Sequence, residues 1–340
     1  MKHNATYPTL AALLLTLAFA GCKQEPLPES GDAIRFAVTP AVTSGLQTKA
    51  DPSVEADLIA DGKTITVWGS LKTGSADWEK VFENQPQTVT CSKEGSSVSW
   101  NYGATRYWVR KASYRFCSVF PTTADVQSGS GSDKVIVNYP SLPGYDLMVA
   151  SSPLIDAATN GNNPVNLKFQ HTGAAVRFLF AKDANDTKTY SITGLTLQNI
   201  SASGSMTYMG ASNDGGASIS WTPGTPGSAS PWTGSPWAVP ASTSETPFAV
   251  ITTPEWLFAV PQDLAATSTT VFPAITVSYT VADQALEVTL PLKTNNIAQW
   301  ESGKAYTYKI FVNPNAIELN VEWTDWVDGG EDTMNTGKTW

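Results

Sequence analysis

Alternation of apolar and polar residues runs through most of this 340-residue chain and constrains its fold more than any other feature. Side chains on a β-strand point to opposite faces in turn, so a period of two indicates a strand with one buried face. The pattern is cleanest in residues 306–312 and 317–323, which the turn-forming Asn313-Pro314-Asn315 separates. The chain is therefore predicted to be built mainly from strands.

The strands are short, numerous and separated by Gly, Pro, Asn and Ser clusters, which favours β-sandwiches over a fold of alternating strands and helices. Only residues 76–83 suggest a short helix. The polar stretch 151–164 is typical of a linker, and we place a domain boundary there. An all-β protein follows, with one sandwich in residues 51–162 and a second in residues 163–340.

Residues 1–21 have the order of a secretory signal peptide. A short positive start precedes an apolar run over residues 10–19, which is too short to span a bilayer. Small residues then precede Cys22, an arrangement that indicates cleavage and lipidation of that thiol. An ordinary secretory peptide followed by an incidental cysteine is the alternative. Several acyl chains on Cys22 would anchor the protein stably to a membrane.

Residues 22–50 combine a tether with a first strand. Residues 23–32 contain two prolines and three acidic side chains, which keep such a segment extended and solvated. Residues 34–38 then alternate as a half-buried strand does, and a polar loop carrying Lys49 follows.

Charge and histidine content exclude several functions. A formal net charge of −9 argues against nucleic acid or anionic membrane surfaces as partners. His171 is the only histidine after the signal segment, which leaves little for a Ser-His-Asp arrangement, and we expect it to have a hydrogen-bonded packing role. The acidic residues 325–332 do not have EF-hand spacing. No metal, cofactor or enzymatic activity is therefore predicted, although paired carboxylates of a hydrolase stay open.

Cys91 and Cys117 both lie in strand-like runs. An oxidising exterior permits a disulfide between them. Two separate buried thiols are an equally good interpretation.

Residues 210–247 are rich in Gly, Ser, Thr and Pro and are predicted to form a long loop. The loop contains Trp221, Trp232 and Trp237. These rings either form a platform for a glycan or pin the loop to its own domain, and the second interpretation is favoured.

Taken together, the chain resembles the fimbrillin-like lipoproteins of Bacteroidetes, the subunits of protease-assembled pili. The resemblance covers most of the sequence after Cys22 and rests on diffuse motifs in a fixed order. They are Phe19-Ala20-Gly21-Cys22, Ile34-Arg35-Phe36, Thr48-Lys49-Ala50, Tyr145-Asp146-Leu147-Met148-Val149-Ala150, Val165-Asn166-Leu167-Lys168-Phe169-Gln170-His171, Leu257-Phe258-Ala259-Val260-Pro261-Gln262, Trp300-Glu301-Ser302-Gly303-Lys304-Ala305-Tyr306-Thr307-Tyr308 and Trp323-Thr324-Asp325-Trp326.

The resemblance implies two tandem transthyretin-like β-sandwiches and a route to the cell outer membrane and the fimbrium. A lipidated precursor is cut in its N-terminal loop by a trypsin-like protease, which removes the first strand. A strand from another copy or a homologous pilin subunit, usually its C-terminal segment, then fills the open groove and builds a fimbrium that contributes to adhesion.

On this scheme the processing site is Lys49–Ala50, where the family usually has Arg. Either Lys49 is accepted, or the subunit stays uncleaved at the base of the fimbrium. The donor strand is predicted to present four apolar side chains on one face, worth on the order of 6 to 12 kcal/mol when buried. These are Ile317, Leu319, Val321 and Trp323.

Two other functions compete with a pilus subunit. A surface glycan-binding lipoprotein would use the three tryptophans of residues 210–247. A hydrolase is the weaker alternative, because the histidines that it would need are missing.

Overall fold

The computed structural model describes residues 33–39, 58–160, 163–212, 216–242 and 248–312, and the backbone of residues 317–325. The strands before residue 163 are β1 (Phe36–Thr39), β2 (Thr64–Thr73), β3 (Glu79–Lys80), β4 (Gln87–Glu94), β5 (Ser97–Asn101), β6 (Ala112–Phe120), β7 (Asp125–Val126), β8 (Lys134–Tyr139), β9 (Met148–Ser151) and β10 (Ile155–Asp156). A single helical turn, Ala157–Asn160, follows β10.

The remaining strands follow the polar stretch. They are β11 (Val165–Lys168), β12 (Gln170–His171), β13 (Ala174–Asp183), β14 (Tyr190–Ile200), β15 (Gly204–Met209), β16 (Ser218–Pro223), β17 (Gly227–Ala229), β18 (Trp237–Ala238), β19 (Ala241–Ser242), β20 (Ala249–Val250), β21 (Leu257–Ala259), β22 (Gln262–Asp263), β23 (Ala274–Val281), β24 (Gln284–Pro291), β25 (Gln299–Trp300), β26 (Lys304–Val312) and β27 (Ile317–Asp325). The all-β prediction is confirmed.

The first unit has three layers around a central sheet in the order β12-β9-β6-β2-β4-β5. Successive residues of β6 alternate between its two faces: Phe116 packs in one buried cluster and Cys117 in another. A second sheet, β16-β15-β8-β7, covers the Cys117 face. The parallel pair β1–β11 covers the Phe116 face. The middle of the central sheet is therefore covered on both faces, and β2 accordingly has an unbroken run of buried residues from Ile65 to Gly69.

The second unit is a sandwich of two sheets. One has the order β19-β13-β26-β27 and the other the order β17-β14-β23-β24. Their inner faces share one buried cluster, in which Phe178 and Tyr308 stack with ring centroids 5.0 Å apart. The hydroxyl of Tyr308 accepts the indole N–H of Trp300 at 2.9 Å, so a polar group buried in this core is paired.

The chain crosses between the two units more than once. The predicted boundary after residue 162 divides the first unit, because β11 and β12 pair with β1 and β9. The hairpin β15–β16 also returns from the second half and pairs with β8. Strands from both halves of the sequence thus build the first unit.

Two local predictions are wrong. Residues 76–83 contain the short strand β3, antiparallel to Ser70 and Leu71, and no helix. The segment 210–247 is not one long loop: its described residues contain β16, β17, β18 and β19. In both segments pairing with a neighbouring strand, which is a tertiary contact, overrides the local sequence preference.

Candidate functional site

The first strand lies in a slot on the central sheet of the first unit. Phe36–Thr39 pairs in parallel with Val165–Lys168, and the N–H of Val165 donates to the carbonyl oxygen of Arg35 at 2.7 Å. At its start the N–H of Ile34 also donates to the carbonyl of Arg106 at 2.8 Å and Ala33 bridges to Tyr107, and at its end the carbonyl of Thr39 accepts the N–H of Phe169 at 2.9 Å. The strand is therefore held from both ends by main-chain hydrogen bonds.

Alternate side chains of this strand enter the first core, as its sequence predicts. Ile34 is 1% exposed and Phe36 is 6% exposed, and Val38 packs against the same cluster. Arg35 between them is exposed at the surface. A short strand from the N-terminal segment thus completes a core built from later residues.

Three aromatic rings surround Phe36. Its ring centroid lies 5.6 Å from that of Phe116, 5.7 Å from that of Tyr102 and 6.4 Å from that of Phe82. We call Phe82, Tyr102 and Phe116 the aromatic box. Sequence reasoning missed it, because its walls come from three separate segments and one of them, Phe82, lies in the supposed helix.

Tyr102 also binds the strand through its hydroxyl, which donates to the carbonyl oxygen of Ile34 at 2.6 Å. Burial raises the pKa of Tyr102, and the hydrogen bond from the N–H of Arg106 opposes part of that rise. The hydroxyl therefore stays protonated and remains a donor at physiological pH.

Cys22, Lys49 and Ala50 lie outside the described residues, so their roles in lipidation and processing stay predictions. The structure does describe Arg35, the arginine that an Arg-specific protease would find in this N-terminal segment. Its main chain is hydrogen-bonded to Val165 between two buried neighbours. A protease that needs an extended, unpaired backbone cannot cut there while β1 is in its slot.

The predicted donor segment is a strand at the edge of the second unit. β27 pairs antiparallel with β26 over all nine residues, from Ile317 opposite Val312 to Asp325 opposite Lys304. The backbone register pairs Ile317, Leu319, Val321 and Trp323 with Val312, Ile310, Tyr308 and Tyr306, respectively.

Cys91 and Cys117 do not form a disulfide. Both are free and buried, and they belong to the clusters on opposite faces of the central sheet. Burial raises the pKa of each thiol. Of the two interpretations, separate buried thiols is correct.

The three tryptophans do not form one platform. Trp221 lies against Tyr139 and donates its indole N–H to the carbonyl of Thr172 at 2.6 Å. Trp232 is 8% exposed and packs edge-on to Phe178, and Trp237 contacts the same second core. These contacts favour the interpretation that the rings pin the segment, and glycan binding stays a prediction.

His171 has the packing role that we expected. It is buried on β12, and its Nδ1 lies 2.9 Å from Oδ1 of Asp146. Among the described residues no group of three or more His, Cys, Asp or Glu side chains is placed to hold a metal ion. Within the same part of the chain, no helix has the length and hydropathy needed to cross a membrane.

Two solved structures have similar folds. A fimbrial protein from Bacteroides vulgatus has a TM-score of 0.55 at 15% identity and covers 87% of this chain and 100% of its own. A candidate cell adhesion protein from Bacteroides uniformis has a TM-score of 0.52 at 16% identity and covers 88% of this chain and 100% of its own. At such identities the likeness concerns the fold alone. The molecule is a β-sandwich protein of the type found among bacterial fimbrial proteins.

A family model described as fimbrillin-like matches residues 48–326. This range covers most of the chain, and the chain therefore belongs to the fimbrillin-like family, as its motifs predicted. No curated protein matches the chain. The family consists of fimbrial structural proteins, which implies a location in the surface fimbrium and association with other subunits.

Proposed function

We propose that this protein is a fimbrial subunit that is exported as a lipoprotein and assembles by replacement of its first strand. One observation carries the proposal: residues 33–39 fill a slot in a core whose other members lie within residues 58–169. Burying Ile34 and Phe36 contributes on the order of 3 to 6 kcal/mol. Loss of this strand would leave β11 unpaired and two apolar cavities open, a state that favours addition of a new strand.

The chain supplies a strand of matching pattern in β27. Ile34, Phe36 and Val38 are spaced two residues apart, and so are the apolar residues from Ile317 to Trp323. In one copy β27 is occupied by pairing with β26. Strand replacement in this scheme therefore moves β27 from its own second unit into the first unit of a neighbour.

Processing after Lys49 would release the first strand. The main-chain pairing of Arg35 supports a cut in the following loop rather than inside the strand. Lipid on Cys22 would hold the precursor at the outer membrane until that cut is made, and the assembled fimbrium would contribute to adhesion.

Limited trypsin digestion of the purified full chain tests this proposal. Size-exclusion chromatography should show conversion of monomer to oligomer after the cut, with the N-terminal fragment released. Lys49→Gln should block the conversion, whereas Lys293→Gln, at an exposed lysine of the second unit, should leave it unchanged. A chain that is cut after Lys49 and stays monomeric would contradict strand replacement.

A second variant tests the donor. Deletion of residues 314–340 should leave a chain that is cut normally but cannot polymerise alone. Oligomers of normal size from this variant would exclude the C-terminal strand as donor.

The lipid anchor needs its own test. Cys22→Ser should abolish metabolic labelling with palmitate and shift the protein out of the outer-membrane fraction. Retention of the label would show that Cys22 is not the lipidated residue.

A further inference from the structure

The aromatic box is held in place by contacts that do not involve the first strand. Gly69 of β2 leaves room for it, because a Cβ there would lie 2.6 Å from Cε1 of Phe116. The side chain of Gln85 exchanges two hydrogen bonds with the backbone of Gly69, at 3.1 and 2.6 Å, and ties down the segment that carries Phe82. Phe82 and Phe116 are thus positioned by contacts within residues 69–116 that are independent of the first strand.

The rings of the box also support one another. Phe82 and Tyr102 meet edge to face with centroids 5.4 Å apart. Next to Phe82, Glu83 forms an ion pair at 3.1 Å with Arg106, which lies in the loop that follows Tyr102. Tyr102 and Phe116 meet Phe36 edge to face, at interplanar angles of 70° and 87°, and Phe82 is tilted at 38°. This geometry fits an aromatic guest, since edge-to-face ring pairs gain more than their buried area alone.

At this end of the slot, one set of contacts binds the main chain of the strand and another set binds its side chain. Tyr102 and Arg106 bind the backbone of Ile34, and any strand offers the same carbonyl and N–H groups. The three rings of the box surround the side chain at the Phe36 position. Discrimination between side chains at that position must therefore come from the box.

We propose that the aromatic box is a selectivity pocket for the strand that replaces β1, and that its preferred occupant is a phenylalanine on a strand of another fimbrial subunit. This inference rests on the proposed strand replacement. Aligning Ile317 with Ile34 brings Val321 to the Val38 position but Leu319 to the box. In this register a second copy of this chain offers a smaller, non-aromatic side chain, and a homologous subunit with phenylalanine there outcompetes it.

Peptide binding to the full chain carrying Phe36→Ala tests the pocket, because this substitution weakens the chain's own β1. Fluorescence polarisation would compare a labelled peptide of residues 33–39 with versions carrying Phe36→Leu and Phe36→Ala. We expect about five- to tenfold weaker binding for leucine and about 10²- to 10³-fold weaker binding for alanine. A peptide of residues 316–325 should bind about as the leucine version does. The unsubstituted chain, with its slot filled, is the control.

Two protein variants separate the box from the main-chain contacts. Tyr102→Phe removes the hydroxyl donor and should weaken all peptides by a similar factor. Phe82→Leu should lower the preference for phenylalanine over leucine. If Phe36→Ala does not fold, a cleavage assay on the full chain with Phe36→Leu replaces the peptide-binding assay. Trypsin should then cut after Arg35 about five- to tenfold faster than in the unsubstituted chain.

The outcomes are distinguishable. Equal binding of the phenylalanine, leucine and alanine peptides would overturn the selectivity of the box while strand replacement stands. A preference for leucine would do the same. No binding of any peptide to the opened slot would overturn strand replacement itself, and the box inference with it.

Discussion

Shortening Ile34 should release the first strand without unfolding the rest of the molecule. Ile34 is 1% exposed and lies at the end of a strand that has a described ladder partner on one side only, β11. Truncation of a buried isoleucine to alanine costs about 2 to 5 kcal/mol. The equilibrium for leaving the slot should therefore shift by about 30-fold or more.

Trypsin reports this shift directly, because Arg35 lies in the strand and its main chain is hydrogen-bonded in the slot. When closing is fast relative to cleavage, the rate of the cut follows the population of the open form. We expect Ile34→Ala to speed the cut after Arg35 by about 30-fold or more, and Ile34→Val by only about two- to tenfold, since it removes one methylene. Mass spectrometry of the released fragments gives the rates.

Cleavage after Arg177, on β13 of the second unit, is the internal control. Global destabilisation would speed both cuts equally, whereas release of the first strand speeds only the one after Arg35. A cut after Arg35 at the unsubstituted rate in Ile34→Ala would refute the idea that burial of this side chain holds the strand.

Three further predictions concern the rest of the fold. Gly144→Ala should lower Tm sharply, because Gly144 has a positive φ of +69° and a Cβ there would clash with the carbonyl oxygen of Phe258. Gly62→Ala is the control: Gly62 has a φ of +77° but open space around it, so this variant should lose only about 1 kcal/mol of unfolding free energy, measured by calorimetry. Cys91 and Cys117 should resist alkylation at pH 8 until denaturant is added, and a reductant should leave Tm unchanged; a drop in Tm on reduction would indicate a disulfide. Burial raises the pKa of Tyr190 and of Tyr208 to about 12 from an ordinary value of 10, so the folded state holds these protons more tightly than the unfolded state. The stability of the fold should therefore fall as pH rises above 10, by about 1.4 kcal/mol per pH unit for each tyrosine. A denaturation midpoint that stays constant between pH 10 and 12 would contradict this.

Sequence reasoning succeeded where a strand has one buried face. The alternation of Ile34, Phe36 and Val38 predicted the strand, and the structure places these side chains in or against the first core. The same periodicity placed β26 and β27 with nearly correct bounds. In such segments the local pattern and the tertiary environment agree.

Sequence reasoning failed where contacts between residues distant in the chain determine the structure. Nothing local in Val165 and Leu167 shows that they pack with the first core rather than the second. The rings of Phe82 and Phe116 come together around Phe36 only because β2 and β6 pair and Gly69 leaves space for both rings. The aromatic box is a product of three-dimensional packing and has no one-dimensional signature.

The parallel pairing of β13 with β26 has a mechanical consequence for a filament. The segment that follows β11 joins β13 at Ala174. The segment that precedes β27 leaves β26 at Val312, which lies at the opposite end of the β13–β26 ladder. Tension between neighbouring subunits would pull these two strands in opposite directions along their length. The load would then act in shear on all nine paired positions together, and the hydrogen bonds of the ladder would not break one after another from one end.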